Sequence, residues 1–168
     1  MIDRDYCVTM ARYNTWQNNQ LIGSLKGLEE SGLHQDRGAF FGSILGTLNH
    51  LLWGDMMWMS RFERTETPTG NINDSAQLCP TFSAWTADRF RMDGRMTLWA
   101  ERLNNIDLKG DLKFYSGVLG RETTKPMGYC VTHFFNHQTH HRGQVHAMMT
   151  AAGHDAPVSD LFLMPEDI

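Results

Sequence analysis

Eight histidines occur in the chain, and five of them (His133, His137, His140, His141 and His146) fall in one short stretch, THFFNHQTHHRGQVH. Imidazoles in such density suggest proton transfer or metal ligation. On a helix, each residue turns by about 100°. With His137 at zero, His141 then lies at about +40°, His133 at about −40°, Gln144 at about −20° and His140 at about −60°. His146 points the opposite way, at about 180°. His137 and His141, at i and i+4, can chelate one ion. Gln138 stands where a zinc protease of the His-Glu-x-x-His type has its glutamate, so that general base is missing.

A third ligand would complete an open metal site. His50 sits amid apolar residues in GTLNHLLWGD. A lone histidine there is either a ligand or a hydrogen-bonded core residue. Its own helix face carries Ser43 at about +20°, Gly46 at about −40° and Gly54 at about +40°. A glycine inside a helix costs about 1 kcal/mol against alanine. Two of them imply either a cavity beside the imidazole or close helix packing. Three imidazoles with an open side suit zinc or nickel first, with copper, iron or manganese also possible. A di-iron carboxylate site needs Glu-x-x-His pairs, which the sequence lacks.

Other residues near these motifs have structural readings. Asp55 lies about 140° from His50 on the helix, and a salt bridge with Arg142 or another basic residue suits it better than the metal. Gln144 shares the stripe of the ligand pair and faces the same side. His140 fits either the pocket or a helix–helix seam, and His133 a structural role. Tyr13 and Trp16 fit the core or a cavity wall. Cys130 reads as a core thiol, and the 11 methionines as packing.

The elements that must position these residues follow from periodicity. Apolar residues step by three and four over 3–28, 42–62, 82–103 and 126–152, which predicts four helices. Asp3 and Thr81 suit N-caps, Pro126 suits a first turn and Gly153 a C′ position. The second helix is apolar on nearly every side, as for a central or shared helix. The polar stretch 63–80 reads as a long loop, able to run the length of a bundle. Residues 107–124 fit a short hairpin or an irregular loop, and the tail from 155 an extended segment.

Composition sets the outer bounds. A chain of 168 residues suits a single domain over 1–168, and 41% hydrophobic with 20% charged residues can bury a core. With 15 basic and 19 acidic residues, the net charge is −4, and no basic stripe recommends nucleic acid as a partner. No apolar run approaches the roughly 20 residues of a membrane span, so no membrane partner is expected. The N-terminus shows no signal-peptide pattern. Three widely spaced cysteines (Cys7, Cys79 and Cys130) suit reduced thiols and a cytoplasmic location.

The segments YNTWQNNQL (13–21), GAFFGSILGTLNHLLWGDMMWMSRF (38–62) and HFFNHQTHHRGQVHAMMTAAG (133–153), together with Asp160, span nearly the whole chain. In these the sequence resembles the DinB-like family of metal-binding four-helix bundles. The resemblance implies an all-α, up-down-down-up bundle with a long crossover between the second and third helices, often as a homodimer. It implies one divalent metal ion on His50, His137 and His141, with water in the remaining positions. Relatives include thiol-dependent S-transferases and a glutathione-dependent maleylpyruvate isomerase. The expected activity is therefore a metal-dependent transfer of a low-molecular-weight thiol or water to a small electrophile, in detoxification or stress response. The alternative is a non-catalytic protein in which the metal ties two helices together.

Overall fold

The computed structural model describes residues 2–167. The chain is mostly helical. Four long helices carry it: α1 (Arg4–Leu25), α3 (Ile44–Glu63), α4 (Phe82–Arg102) and α5 (Met127–Ala151). A one-turn helix, α2 (Glu30–His34), follows α1 and was not anticipated, because five residues are too few to show a period.

The helix ends follow the chemistry of their terminal residues. Asp3 accepts the Tyr6 N–H at 2.8 Å, Ser43 accepts that of Gly46 at 3.0 Å and Thr81 accepts that of Ala84 at 3.2 Å. Each satisfies an N–H that the helix itself leaves free. Pro126 directly precedes α5. At the other end, Gly153 takes a φ of +77°, and the N–H groups of Gly153 and His154 return to the carbonyls of Thr150 and Met149. That pattern is a Schellman closure, and it needs a residue at ease in the left-handed region.

Residues 107–124 resolve in favour of a hairpin. Strands β1 (Asp111–Ser116) and β2 (Arg121–Pro126) pair antiparallel, with Asp111 opposite Pro126 and Ser116 opposite Arg121. A small sheet thus joins the helices of an otherwise α-helical chain. The hairpin is fastened to α3 by Arg61, whose guanidinium lies 4.6 Å from the Trp58 ring centre and 4.5 Å from that of Phe114. Arg61 also donates to the Tyr115 carbonyl at 3.2 Å.

α1 packs on α4, α3 on α5, and α3 on α4. The core between them includes Leu45, Leu48, Leu52, Trp85, Met96, Phe134 and Phe135, all buried. Within it lies a charged network that ties all four long helices. Arg89 of α4 is fully buried and reaches Asp55 of α3 at 2.6 Å and Asp93 of its own helix at 2.8 Å. Asn18 of α1 donates to Asp93 at 3.0 Å and Gln138 of α5 to Asp55 at 3.1 Å. Arg142 of α5 donates to Asn14. Burial alone would push both carboxyls up, and the Arg89 guanidinium opposes this at each. Asp55 therefore pairs with Arg89; Arg142 contributes only its field.

The polar stretch 64–80 runs over the surface with one 3₁₀ turn, Ser75–Gln77. Asn49 pins it, donating to the carbonyls of Ala76 at 3.1 Å and Cys79 at 2.9 Å. Cys7, Cys79 and Cys130 are free and buried, as reduced core thiols would be. Among the described residues no helix is long and apolar enough to cross a membrane.

Candidate metal centre

α3 supplies His50 and α5 supplies His137 and His141. The three side chains each bring a ring nitrogen into one cluster whose candidate ligand atoms all lie within 4.8 Å of one another. The rings stand edge to face, with centroids 5.3 Å apart for His50 and His137, 4.7 Å for His50 and His141, and 4.4 Å for His137 and His141. The i, i+4 spacing and the packing of α3 on α5 are enough to bring them together.

Both glycines on the His50 face have steric reasons. A Cβ on Gly54 would lie 2.9 Å from Cε1 of His137, so the missing side chain is the space that imidazole fills. A Cβ on Gly46 would collide with the carbonyl oxygen of Phe41. Gly46 thereby lets the 39–42 turn approach α3, and Phe41 stacks on His50 with ring centres 3.7 Å apart and planes at 16°. Phe41 also meets His141 edge-on at 5.6 Å.

The imidazoles are neutral around neutral pH. Burial pushes His50 down to about 4, with His141 adding to the shift. Burial likewise pushes His137 down to about 3, helped by the four neighbouring histidines. His141 is also lowered, again by burial first. Neutral imidazole is the form that binds metal.

The donor set fits a divalent cation. Nε2 of His141 lies 3.1 Å from Nε2 of His137. Two bare nitrogens at that separation repel unless a proton or a cation lies between them. Nδ1 of His137 is buried without a hydrogen-bond partner. Nδ1 of His141 lies 2.7 Å from Oε1 of Gln144, and Nδ1 of His50 lies 2.9 Å from Oγ of Ser75. Side-chain oxygens behind two of the rings are the usual outer support of metal-binding histidines. No carboxylate joins the cluster among the described residues.

The remaining sequence candidates fall into place around this centre. Gln144 joins His140 to His141, with its Nε2 3.2 Å from Nε2 of His140. His133 lies edge-on to Trp58 at 5.1 Å and 5.8 Å from the His137 ring. His133 and His140 are exposed and His137 is half-buried, so solvent reaches the cluster from the α5 side. Gln138 and Asp55 are turned into the charged network, away from the rings. Tyr13 is core: its hydroxyl donates to the Ser159 carbonyl and its ring lies 5.5 Å from the Arg142 guanidinium. Trp16 packs beside Tyr13.

Phe41 and Ser75 were not anticipated from the sequence. Gly46 signals the close approach of Phe41, but a serine 25 residues from His50 in a polar loop carries no such mark. Two open clefts, of about 540 and 610 Å³, lie elsewhere. One sits under the hairpin beside Phe62 and Trp99, the other along α4 beside Phe90 and Leu98, and neither touches a histidine.

Comparison with known proteins agrees with the fold. Residues 1–167 match the model of the DinB family. The chain is 24% identical over 165 residues to Protein DinB of Bacillus subtilis (strain 168), covering 93% of this chain and 91% of the relative. The crystal structure of a DinB-like protein from Bacillus cereus ATCC 10987 superposes with a TM-score of 0.64 at 17% identity, over 86% of this chain and 91% of that one. A full-length family match, a full-length relative and a shared fold lead to one statement: the chain belongs to the DinB family.

Proposed function

We propose that His50, His137 and His141 hold one divalent metal ion, zinc or nickel first among the choices, and that the protein is a metal-dependent enzyme. Its reaction would transfer a low-molecular-weight thiol or water to a small electrophile, as thiol S-transferases do. The observation that carries this reading is the convergence of three neutral imidazoles, without a carboxylate, on a cluster whose third ring is half-open to solvent. When bound, such an ion lowers the pKa of a coordinated thiol or water and polarises a substrate carbonyl. His50 and His141 anchor the buried side of the centre, and Phe41 excludes water from the face of His50. His137 borders the approach from solvent, flanked by exposed His133 and His140, which can hydrogen-bond a polar substrate.

The same reading takes the four long helices as one up-down-down-up bundle over residues 1–168, with 64–80 as the crossover, working in the cytoplasm as a homodimer. Light scattering of the purified protein checks the dimer.

Metal analysis tests the centre. About one ion per chain is expected, lost in His50→Ala and His137→Ala; full occupancy in both variants overturns it. A screen of several thiols with a chlorinated aromatic acceptor tests the activity. Turnover that a chelator abolishes supports it, and absent or chelator-insensitive turnover with every thiol counts against it.

One observation favours the non-catalytic reading, in which the ion ties α3 to α5: the two clefts described above are lined by no histidine. That reading shares the fall in melting temperature on metal removal and differs in predicting no binding of thiols at the centre.

A further inference from the structure

The segment between α3 and α4 reaches the metal centre through one hydroxyl. Ser75 is 1% exposed, and its Oγ lies 2.9 Å from Nδ1 of His50 and 2.6 Å from the carbonyl oxygen of Ile72. A serine hydroxyl has one proton to donate and lone pairs to accept. The Ile72 carbonyl only accepts, so the proton of Ser75 is committed to it. What Ser75 offers His50 is a lone pair, and a lone pair is satisfied only by an N–H. Nδ1 of His50 therefore carries the ring proton.

We propose that Ser75 is a positioning residue that holds His50 in its Nδ1–H tautomer, so that the ring presents a bare Nε2 to the metal centre. The tautomer follows from the hydrogen bonds alone; its use rests on the metal-holding role proposed above. In water the two neutral tautomers of an imidazole interconvert freely, and a ring protonated at Nε2 cannot ligate through that atom. A fixed acceptor behind Nδ1 removes that competing form.

The surroundings keep the acceptor in place. Asn49, next to His50 in sequence, holds the segment just after Ser75 through Ala76 and Cys79, and accepts the Cys79 N–H at 3.3 Å. Trp53, one turn on, donates its indole N–H to the Thr69 carbonyl at 3.2 Å. Phe41 stacked on the His50 ring limits its rotation. The long polar segment is thus a strap that fixes one ligand, and its sequence position after α3 is what lets a residue 25 positions away stand behind His50.

The test is long-range proton–nitrogen NMR on metal-free, full-length protein with nitrogen-15 in its histidines, at pH 7.5. His50 is expected to be protonated at Nδ1 and bare at Nε2. In Ser75→Ala the Nδ1–H preference is expected to be lost, and zinc affinity to fall about tenfold or more, while the melting temperature of the metal-free protein moves little. A wild-type His50 protonated at Nε2 overturns the proposal. So does a Ser75→Ala protein with its tautomer unchanged or its zinc affinity within twofold of wild type. A wild-type protein that binds no zinc, nickel or other divalent ion sinks the metal reading instead, and the tautomer measurement still decides the role of Ser75.

Discussion

The imidazole of His137 occupies the volume that a side chain on Gly54 would need, since a Cβ there would stand 2.9 Å from its Cε1 and 3.4 Å from its Nδ1. One residue of α3 is therefore kept small so that an imidazole from α5 can enter. Gly54→Ala gains about 1 kcal/mol of helix propensity and displaces the ring. We expect zinc affinity to drop at least tenfold by competition titration, with a melting temperature near that of wild type. Unchanged affinity would show that the ring does not need this space.

Removing the metal should lower stability by mass action. An ion at a hundred times its dissociation constant adds about 2.7 kcal/mol. Dialysis against a chelator should lower the melting temperature, and added zinc should restore it. In His137→Ala both shifts should vanish, while in His146→Ala, outside the cluster, both should persist.

The metal-free protein should lose stability in mildly acidic solution. His50 and His137 are pushed from the usual 6.5 to about 4 and about 3 by burial. As pH falls below 6.5, the unfolded chain takes up these protons and the folded chain does not, so folding is disfavoured. Above 6.5 neither state binds them, and they add no slope. Thermal melts from pH 7.5 to 5.0, where ordinary carboxylates near 4 stay charged, should show this loss. The slope should be shallower in His137→Ala; equal slopes would refute the assignment.

Arg89 should matter far more than any surface cation. Its replacement by alanine leaves Asp55 and Asp93 buried without their shared partner, a change that costs about 3–5 kcal/mol. The exposed Arg91–Asp88 pair should contribute between about 0 and 1 kcal/mol. Urea unfolding of Arg89→Ala beside Arg91→Ala measures both, and comparable effects would mean the network is not what joins the helices.

Much of this was legible in the residues. Helical periodicity places the four long helices within a few residues of their ends, because burying one face of a helix imposes a repeat on the sequence. Caps such as Asp3, Thr81 and Gly153 are read from local chemistry alone. The i, i+4 geometry of His137 and His141 is a property of any helix, and the two glycines beside His50 already ask for a neighbour.

The neighbours themselves are a matter of tertiary structure. Periodicity says which face of α3 is buried, not that α5 covers it with His137 against Gly54. Helical angles show Asp55 turned from His50, but only packing chooses Arg89 over Arg142 as its partner. The hairpin over 111–126 and the strap that carries Ser75 have short or irregular patterns, and their places are set by long-range contacts with Trp58, Arg61 and Asn49. Local chemistry along the chain sets the helices, their caps and the shared face of His137 and His141, since these depend on interactions within about one helical turn. The approach of His50 to that pair, the ring that stacks on it and the hydroxyl behind it come only from the packing, because they join residues whose separation along the chain carries no repeat.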